Sequence, residues 1–214
     1  MLSIRTFIFN SFEEVTYLIF DEKSKEGAVI DPGMNNQKEI DEFDRLIVSN
    51  NISLKYLILT HLHLDHAWGV PHIKSKYNLP VTAHKESEYL GAIIDAQAQM
   101  FGMRTSPGKI TVDRYISDGD TLNLGKEKLK VLFVPGHSSG DIALYSHESK
   151  FLIAGDIIFR GSIGRTDLPG GNFQQLISGI KDKILTLPPD TVIYPGHGPT
   201  TTVAEELHNN PFLI

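Results

Sequence analysis

Cysteine is absent from this chain. That excludes disulfides, cysteine zinc ribbons, iron–sulfur clusters and a thiolate nucleophile, and it is compatible with a reducing compartment. Positive charge is scarce as well: 20 Lys and Arg against 26 Asp and Glu give a formal charge of −6. Such a chain lacks the broad basic footprint of a nucleic-acid binder. Long apolar runs are missing, and no stretch approaches the ~20 residues of a membrane span. The segment 1–12 is apolar but interrupted by Ser3, Arg5, Thr6, Asn10 and Ser11, so it does not read as a cleaved targeting sequence. The expectation is a cytoplasmic protein with neither a membrane nor a nucleic-acid partner.

What is present is ordinary globular material. The 214 residues are 41% hydrophobic and 21% charged, enough for one domain, 1–214, with a core that needs no staples. Short apolar runs bounded by Gly, Pro, Asp or Ser predict strands at 15–20, 27–31, 54–60, 129–134, 142–145, 151–154 and 192–194. Helical periodicity appears at 36–50, 86–101 and 172–185, the last with Asn172 as N-cap, and Thr202 with Glu205 forms a capping box. The order suggests two similar halves, each with a β-rich part and helices, packed as paired sheets with helices outside. The least regular stretch is 102–114.

The chemistry concentrates at strand ends. The predicted strand 54–60 runs into Thr60-His61-Leu62-His63-Leu64-Asp65-His66. His61 and His63, two apart on extended chain, point the same way, while Asp65 and His66 follow as the chain turns. Three more strands end alike: His137 after Pro135-Gly136, Asp156 after Gly155, and His197 after Pro195-Gly196. Imidazole and carboxylate without thiolate suit zinc, iron or manganese. Seven ligands are too many for one zinc, which takes about four, and are right for two metals sharing a carboxylate. His61, His63 and His137 would hold the first, Asp65, His66 and His197 the second, and Asp156 would bridge. Water between two metals ~3.5–4 Å apart ionises near neutral pH and can attack an electrophilic carbonyl. Asp65 is the candidate to orient that hydroxide.

His61-Leu62-His63-Leu64-Asp65-His66, followed by His137, Asp156 and His197, resembles the metallo-β-lactamase superfamily over nearly the whole chain. The resemblance implies a four-layer αβ/βα sandwich of two mixed sheets with outer helices, and metals at one edge of the sheets. The run from Gly155 through Asp156, Arg160 and Gly164-Arg165-Thr166-Asp167, with Tyr194-Pro195-Gly196-His197-Gly198-Pro199, is similar to the glyoxalase II-like branch. That implies hydrolysis of a small-molecule thioester such as S-D-lactoylglutathione with two divalent cations, zinc foremost. Longer glyoxalase II enzymes add a C-terminal helical region that helps bind glutathione. Here 214 − 197 = 17 residues follow His197, so the chain resembles the short bacterial form. Ile163-Gly164-Arg165-Thr166-Asp167 also resembles persulfide dioxygenases, which use a single iron. That oxidoreductase, a lactam or ester hydrolase on the same fold, and a metal-binding module without catalysis are the alternatives.

Several weaker signals remain. Gly136-His137-Ser138-Ser139-Gly140 fits a serine-nucleophile pattern, but β-like chain follows where a helix is required. Asp31 is either a turn residue or an acceptor that fixes the tautomer of a ligand histidine, and the resemblance favours the second. Arg165 is either paired with Asp167 or a fork for a substrate carboxylate. Met100, Phe101 and Met103 are candidates for a pocket mouth. His72, His147 and His208 read as solvated, His84 as structural, and Gly170-Gly171 as a turn.

Overall fold

The computed structural model describes residues 2–214. The first half runs β1 (Leu2–Phe9), β2 (Glu14–Asp21), β3 (Glu26–Ile30), α1 (Gln37–Ser49), β4 (Ser53–Ile58), α2 (Leu64–Ala67), α3 (Val70–Tyr77), β5 (Val81–Ala83), α4 (Glu88–Ala92), α5 (Ile94–Met100) and β6 (Arg114–Tyr115). Its six strands form one sheet in chain order, antiparallel through β1-β2-β3 and parallel from β3 onward. The second half adds β7 (Thr121–Leu124), β8 (Glu127–Phe133), β9 (Ile142–Ser146), β10 (Phe151–Gly155), the hairpin β11 (Ile158–Phe159) and β12 (Ser162–Ile163), α6 (Phe173–Gly179), β13 (Val192–Pro195), β14 (Thr201–Thr202) and α7 (Val203–Asn209). Its main sheet is ordered β14-β13-β10-β9-β8-β7, with β10 and β13 parallel.

Alternation along the strands builds the layers. On β2, Val15, Tyr17 and Ile19 face the second sheet, where they meet Leu129, Val131, Ile142, Leu144 and Ile153. Leu18 and Phe20 point the other way, onto a core containing Phe43 and Ile47 of α1 and Ile73 of α3. A third core packs Leu132, Ala143, Leu152 and Ile193 against Leu176, Ile180, Ile184 and Val203. Two-sided burial explains why β2 is buried along its whole length, and each such large apolar side chain contributes about 1.5–3 kcal/mol. The result is the expected αβ/βα sandwich of two mixed sheets with outer helices.

Local details differ from the sequence expectation. The helix anticipated over 86–101 is two, α4 and α5, broken at Ile93 (φ −107°, ψ 16°). The helix anticipated over 172–185 runs as α6 and then widens into a π turn at Ile180–Ile184. His72, expected in solvent, is held by Asp44 at 3.0 Å. No helix among the described residues is long and apolar enough to cross a membrane.

Candidate metal centre

The C-terminal ends of β3, β4, β8, β10 and β13 converge on one edge of the sandwich. Three backbone and side-chain bonds join the sheets there: Ile142 N–H to the Thr60 carbonyl at 3.0 Å, Val15 N–H to the Gly196 carbonyl at 2.8 Å, and the Tyr17 hydroxyl to the Pro195 carbonyl at 2.5 Å. Chain leaving β4 carries His61, His63, Asp65 and His66 to this edge. The loops after β8, β10 and β13 bring His137, Asp156 and His197. All seven residues meet.

Two groups of donors result. His61, His63 and His137 each offer a ring nitrogen, and the three atoms lie within 4.8 Å of one another; Asp65, His66 and His197 form a second such group. Asp156 lies between them. Its Oδ1 is 3.4 Å from His66 Nε2, and its Oδ2 is 3.6 Å from His137 Nε2 and 3.7 Å from His197 Nε2. Asp65 Oδ2 stands 3.1 Å from His197 Nε2 and 3.6 Å from His66 Nε2. Gly196 makes the approach possible. A Cβ there would strike Asp156 Oδ1 and come within 2.7 Å of the His66 ring.

The ring orientations are set from outside. His66 Nδ1 faces Asp31 Oδ2 at 3.1 Å, His61 Nδ1 faces Thr60 Oγ1 at 3.1 Å, His137 Nδ1 faces the Arg165 carbonyl at 2.8 Å, and His197 Nδ1 faces the Phe12 carbonyl at 3.0 Å. The carbonyl partners can only accept, so the Nδ1 atoms of His137 and His197 carry the proton and their Nε2 lone pairs point inward. His63 is reversed, with its Nδ1 2.9 Å from His137 Nε2. A third geometric group, Asp31 with His61 and His66, is also close enough for a cation. The Asp31 carboxylate, however, already accepts from Thr60 N–H at 2.7 Å and the Thr60 hydroxyl at 2.6 Å, besides facing His66. It is a support for the rings.

These residues fit bound cations. Among the described residues, five buried side-chain polar atoms have no hydrogen-bond partner, and three of them are His61 Nε2, His66 Nε2 and Asp156 Oδ1. Unpaired buried polar atoms cost about 1–3 kcal/mol each, and a cation among them removes that penalty. Protonation divides the histidines between the two groups. Burial, with His66 and the other imidazoles nearby, holds His61 well below its usual value. Burial beside His137 takes His63 down to about 3. Burial would also lower His66, but the charges of Asp156 and Asp65 outweigh it and hold it well up. Burial opposes charging His197 too, yet its hydrogen bond to Asp65 and the Asp156 charge raise it. Burial would raise Asp156, but His66 keeps it ionised far below the carboxylate range.

Glu14 escaped the sequence reading. It is fully buried on β2, with Oε2 2.9 Å from Thr16 Oγ1 and Oε1 3.9 Å from His66 Nδ1. Thr16 Oγ1 also accepts the Gly33 N–H at 2.9 Å and lies 2.8 Å from the Asp31 carbonyl oxygen. A hydroxyl has one proton. If Asp31 receives it, Glu14 must carry its own, and burial raises the Glu14 carboxyl well above its ordinary value. The signal was parity: Glu14 and Thr16 alternate at the start of a strand whose middle, Tyr17 to Phe20, is hydrophobic.

Two cavities open from the centre. The larger, about 560 Å³, is lined by His137, Asp156, Phe159, Arg160, Arg165 and Pro199 among others. The smaller, about 180 Å³, has Phe12, Leu64, Phe101 and Leu168 as apolar walls. Arg165 lines both, with its guanidinium bidentate on Asp167 at 2.7 Å. Met100 lines a third recess beside Phe101, whereas Met103 packs on the core under α5. Ser138 is buried against Asp141, to which its N–H donates at 2.6 Å. It braces the His137 loop.

The fold and the cluster together are those of the metallo-hydrolase class, with His and Asp groups placed to bind metal. The chain belongs to the metallo-beta-lactamase superfamily, whose pattern matches residues 12–197. It is 35% identical to the hydroxyacylglutathione hydrolase GloC of Haemophilus influenzae over 95% of this chain and 94% of that protein. Among solved structures, it is similar to the BLEG-1 B3 metallo-beta-lactamase, with a TM-score of 0.89, 28% identity and 99% of both chains covered. It is also similar to TTHA1623 in a di-iron-bound form, with a TM-score of 0.84, 33% identity, and 99% and 100% of the two chains covered.

Proposed function

We propose that this chain is a thioester hydrolase of glyoxalase II type that works with two divalent cations. The observation that carries the reading is Asp156, whose two oxygens reach both donor groups within 3.4–3.7 Å. His61, His63 and His137 would hold one cation, and Asp65, His66 and His197 the other, with zinc, iron and manganese all compatible with the donors. When bound, such a pair supplies water ionised near neutral pH and positive charge for a developing oxyanion. Both halves furnish ligands, so the unit of function is one domain, 1–214.

The chain's own residues do the rest. Asp31 and the Arg165 and Phe12 carbonyls fix which ring nitrogens face inward. Asp65, as a ligand of the second cation, would orient the attacking water, its Oδ2 3.1 Å from His197 Nε2 so that both atoms can face the same cation. Water adds to the thioester carbonyl carbon, the C–S bond breaks, and a carboxylic acid and a thiol leave. Phe12, Phe101 and Leu168 wall one side of the path against bulk water. Arg165 is a candidate for a substrate carboxylate once Asp167 releases it. The relationship to a hydroxyacylglutathione hydrolase supports a thioester over a lactam.

The test uses protein purified without added metal. Elemental analysis should find two cations per chain, and S-D-lactoylglutathione should turn over faster than nitrocefin. One iron per chain with oxygen consumption on glutathione persulfide would instead establish the dioxygenase reading, and faster nitrocefin turnover the lactamase one.

A further inference from the structure

The two arginines of the larger cavity are not equivalent. Arg165 has its fork filled by Asp167. Arg160 lines the same cavity and has no hydrogen-bond or ion-pair partner among the described residues. A lone surface arginine ordinarily means nothing; its mounting is what distinguishes Arg160. Phe159 pairs with Ser162 across β11 and β12, so Arg160 and Gly161 form the two-residue turn between them. Gly161 takes φ +67°, the left-handed conformation such turns reserve for glycine. Its N–H donates to Glu206 Oε2 at 3.0 Å. Glu206 is fully buried on α7, where the Thr201 hydroxyl and Asn210 Nδ2 donate to it at 2.5 and 2.7 Å. Asn210 Nδ2 also donates to the Ser162 carbonyl at 2.9 Å. On the opposite side, the Phe159 ring stands 6.3 Å from the His197 ring. The hairpin tip is thus clamped between a buried carboxylate and a metal-site histidine, and it offers an unpaired guanidinium to the cavity.

We propose that Arg160 is the specificity-determining residue for a carboxylate on the substrate. The anionic arm occupies the cavity between the β11–β12 turn and Pro199, and the uncharged arm takes the side walled by Phe12, Phe101 and Leu168. A volume of about 560 Å³ is in the range of small-molecule sites. The turn fixes the backbone from which the guanidinium reaches, while ordering the exposed side chain still costs rotamer freedom on binding. The substrate class this implies is a thioester with one carboxylate-bearing arm, so the inference rests on the thioesterase reading.

Calorimetry on the metal-loaded enzyme tests it with S-methylglutathione, which has nothing to hydrolyse, and its dimethyl ester. The wild type should prefer the free acid by about tenfold, the size of one charge-assisted contact. Arg160→Gln should reduce that preference to within about twofold with metal content unchanged, and Arg160→Lys should keep part of it. Equal wild-type affinity for the two ligands, or an undiminished preference in Arg160→Gln, overturns the proposal. Absence of wild-type thioester turnover would sink the thioesterase reading by itself, leaving the binding preference measurable.

Discussion

Asp31→Asn separates shape from proton placement at the metal centre. Asp31 sits at φ +50°, a conformation asparagine tolerates as well as aspartate, so the backbone needs no adjustment. Its Oδ1 accepts Thr60 N–H, and its Oδ2 accepts the Thr60 hydroxyl and faces His66 Nδ1. With its proton given to Asp31, Thr60 Oγ1 is left to accept from His61 Nδ1. One carboxylate therefore places the proton on Nδ1 of two histidines, one from each donor group, and leaves both Nε2 lone pairs inward. Asparagine offers one oxygen and one NH2. With its oxygen on Thr60 N–H, its NH2 meets Thr60 Oγ1 and His66 Nδ1. His66 must then protonate Nε2, and the Thr60 proton turns toward His61. Flipping the amide instead sets NH2 against Thr60 N–H and leaves a buried donor unpaired, at about 1–3 kcal/mol. The first arrangement costs metal affinity, about 10–100-fold per cation or roughly 1.4–2.8 kcal/mol. Competition against a chromophoric chelator, with elemental analysis for stoichiometry, measures it. An asparagine variant that binds two equivalents with wild-type affinity and melts at the wild-type temperature would refute the reasoning.

Asp156→Ala should release both cations, because each group then loses a shared oxygen. Retention of one tightly held equivalent would show that the groups bind independently. Apparent metal affinity should rise as pH increases through the ordinary histidine value of about 6.5 and beyond it. His66 and His197 hold protons above their ordinary value in the metal-free protein, and binding must displace them. With two protons displaced, affinity climbs by up to about two powers of ten per pH unit until pH passes their raised pKa values. A flat profile in a chelator titration would contradict that assignment. Glu14→Gln should keep metal content and change unfolding free energy by less than about 1 kcal/mol, since an amide can donate to Thr16 as the neutral acid does. Loss of several kcal/mol in denaturant unfolding would mean that Glu14 is an anion.

The convergence of the seven candidate ligands was legible because each follows an apolar run at a strand's end, where a polar cluster has no packing purpose. Asp31 was half legible: its strand end was visible, but its grip on Thr60 and His66 depends on β3 and β4 being parallel neighbours, which periodicity does not report. The Arg165–Asp167 pair was one of two open readings of Arg165, and its bidentate contact is the one seen in the structure. Arg160 was passed over because nothing local reveals that Glu206, 46 residues on, clamps its turn. The break between α4 and α5 was hidden for a related reason. Gly91 lies against the Ile110 carbonyl, where a Cβ would be within 2.5 Å, and that close approach comes from the irregular chain after Gly102. Local pattern reads one element at a time, whereas each of these features is a contact between distant ones.

The two-half topology also accounts for how the centre is held. Four candidate ligands come from the segment after β4 in the first half, two of them on α2, and three from loops of the second. A site split between sheets is only as well placed as the joint between them. That joint consists of ordinary bonds at the same edge, from Ile142 to Thr60, Val15 to Gly196 and Tyr17 to Pro195, over a shared core that includes Tyr17, Ile58 and Ile142. Thr60 and Gly196 are each one residue from a candidate ligand, so the bonds that register the sheets also register the donors. The arrangement is therefore preformed by packing. Bound cations then add stability by mass action, growing as RT ln(1 + [L]/Kd), because ligands from both halves are assembled only in the folded chain.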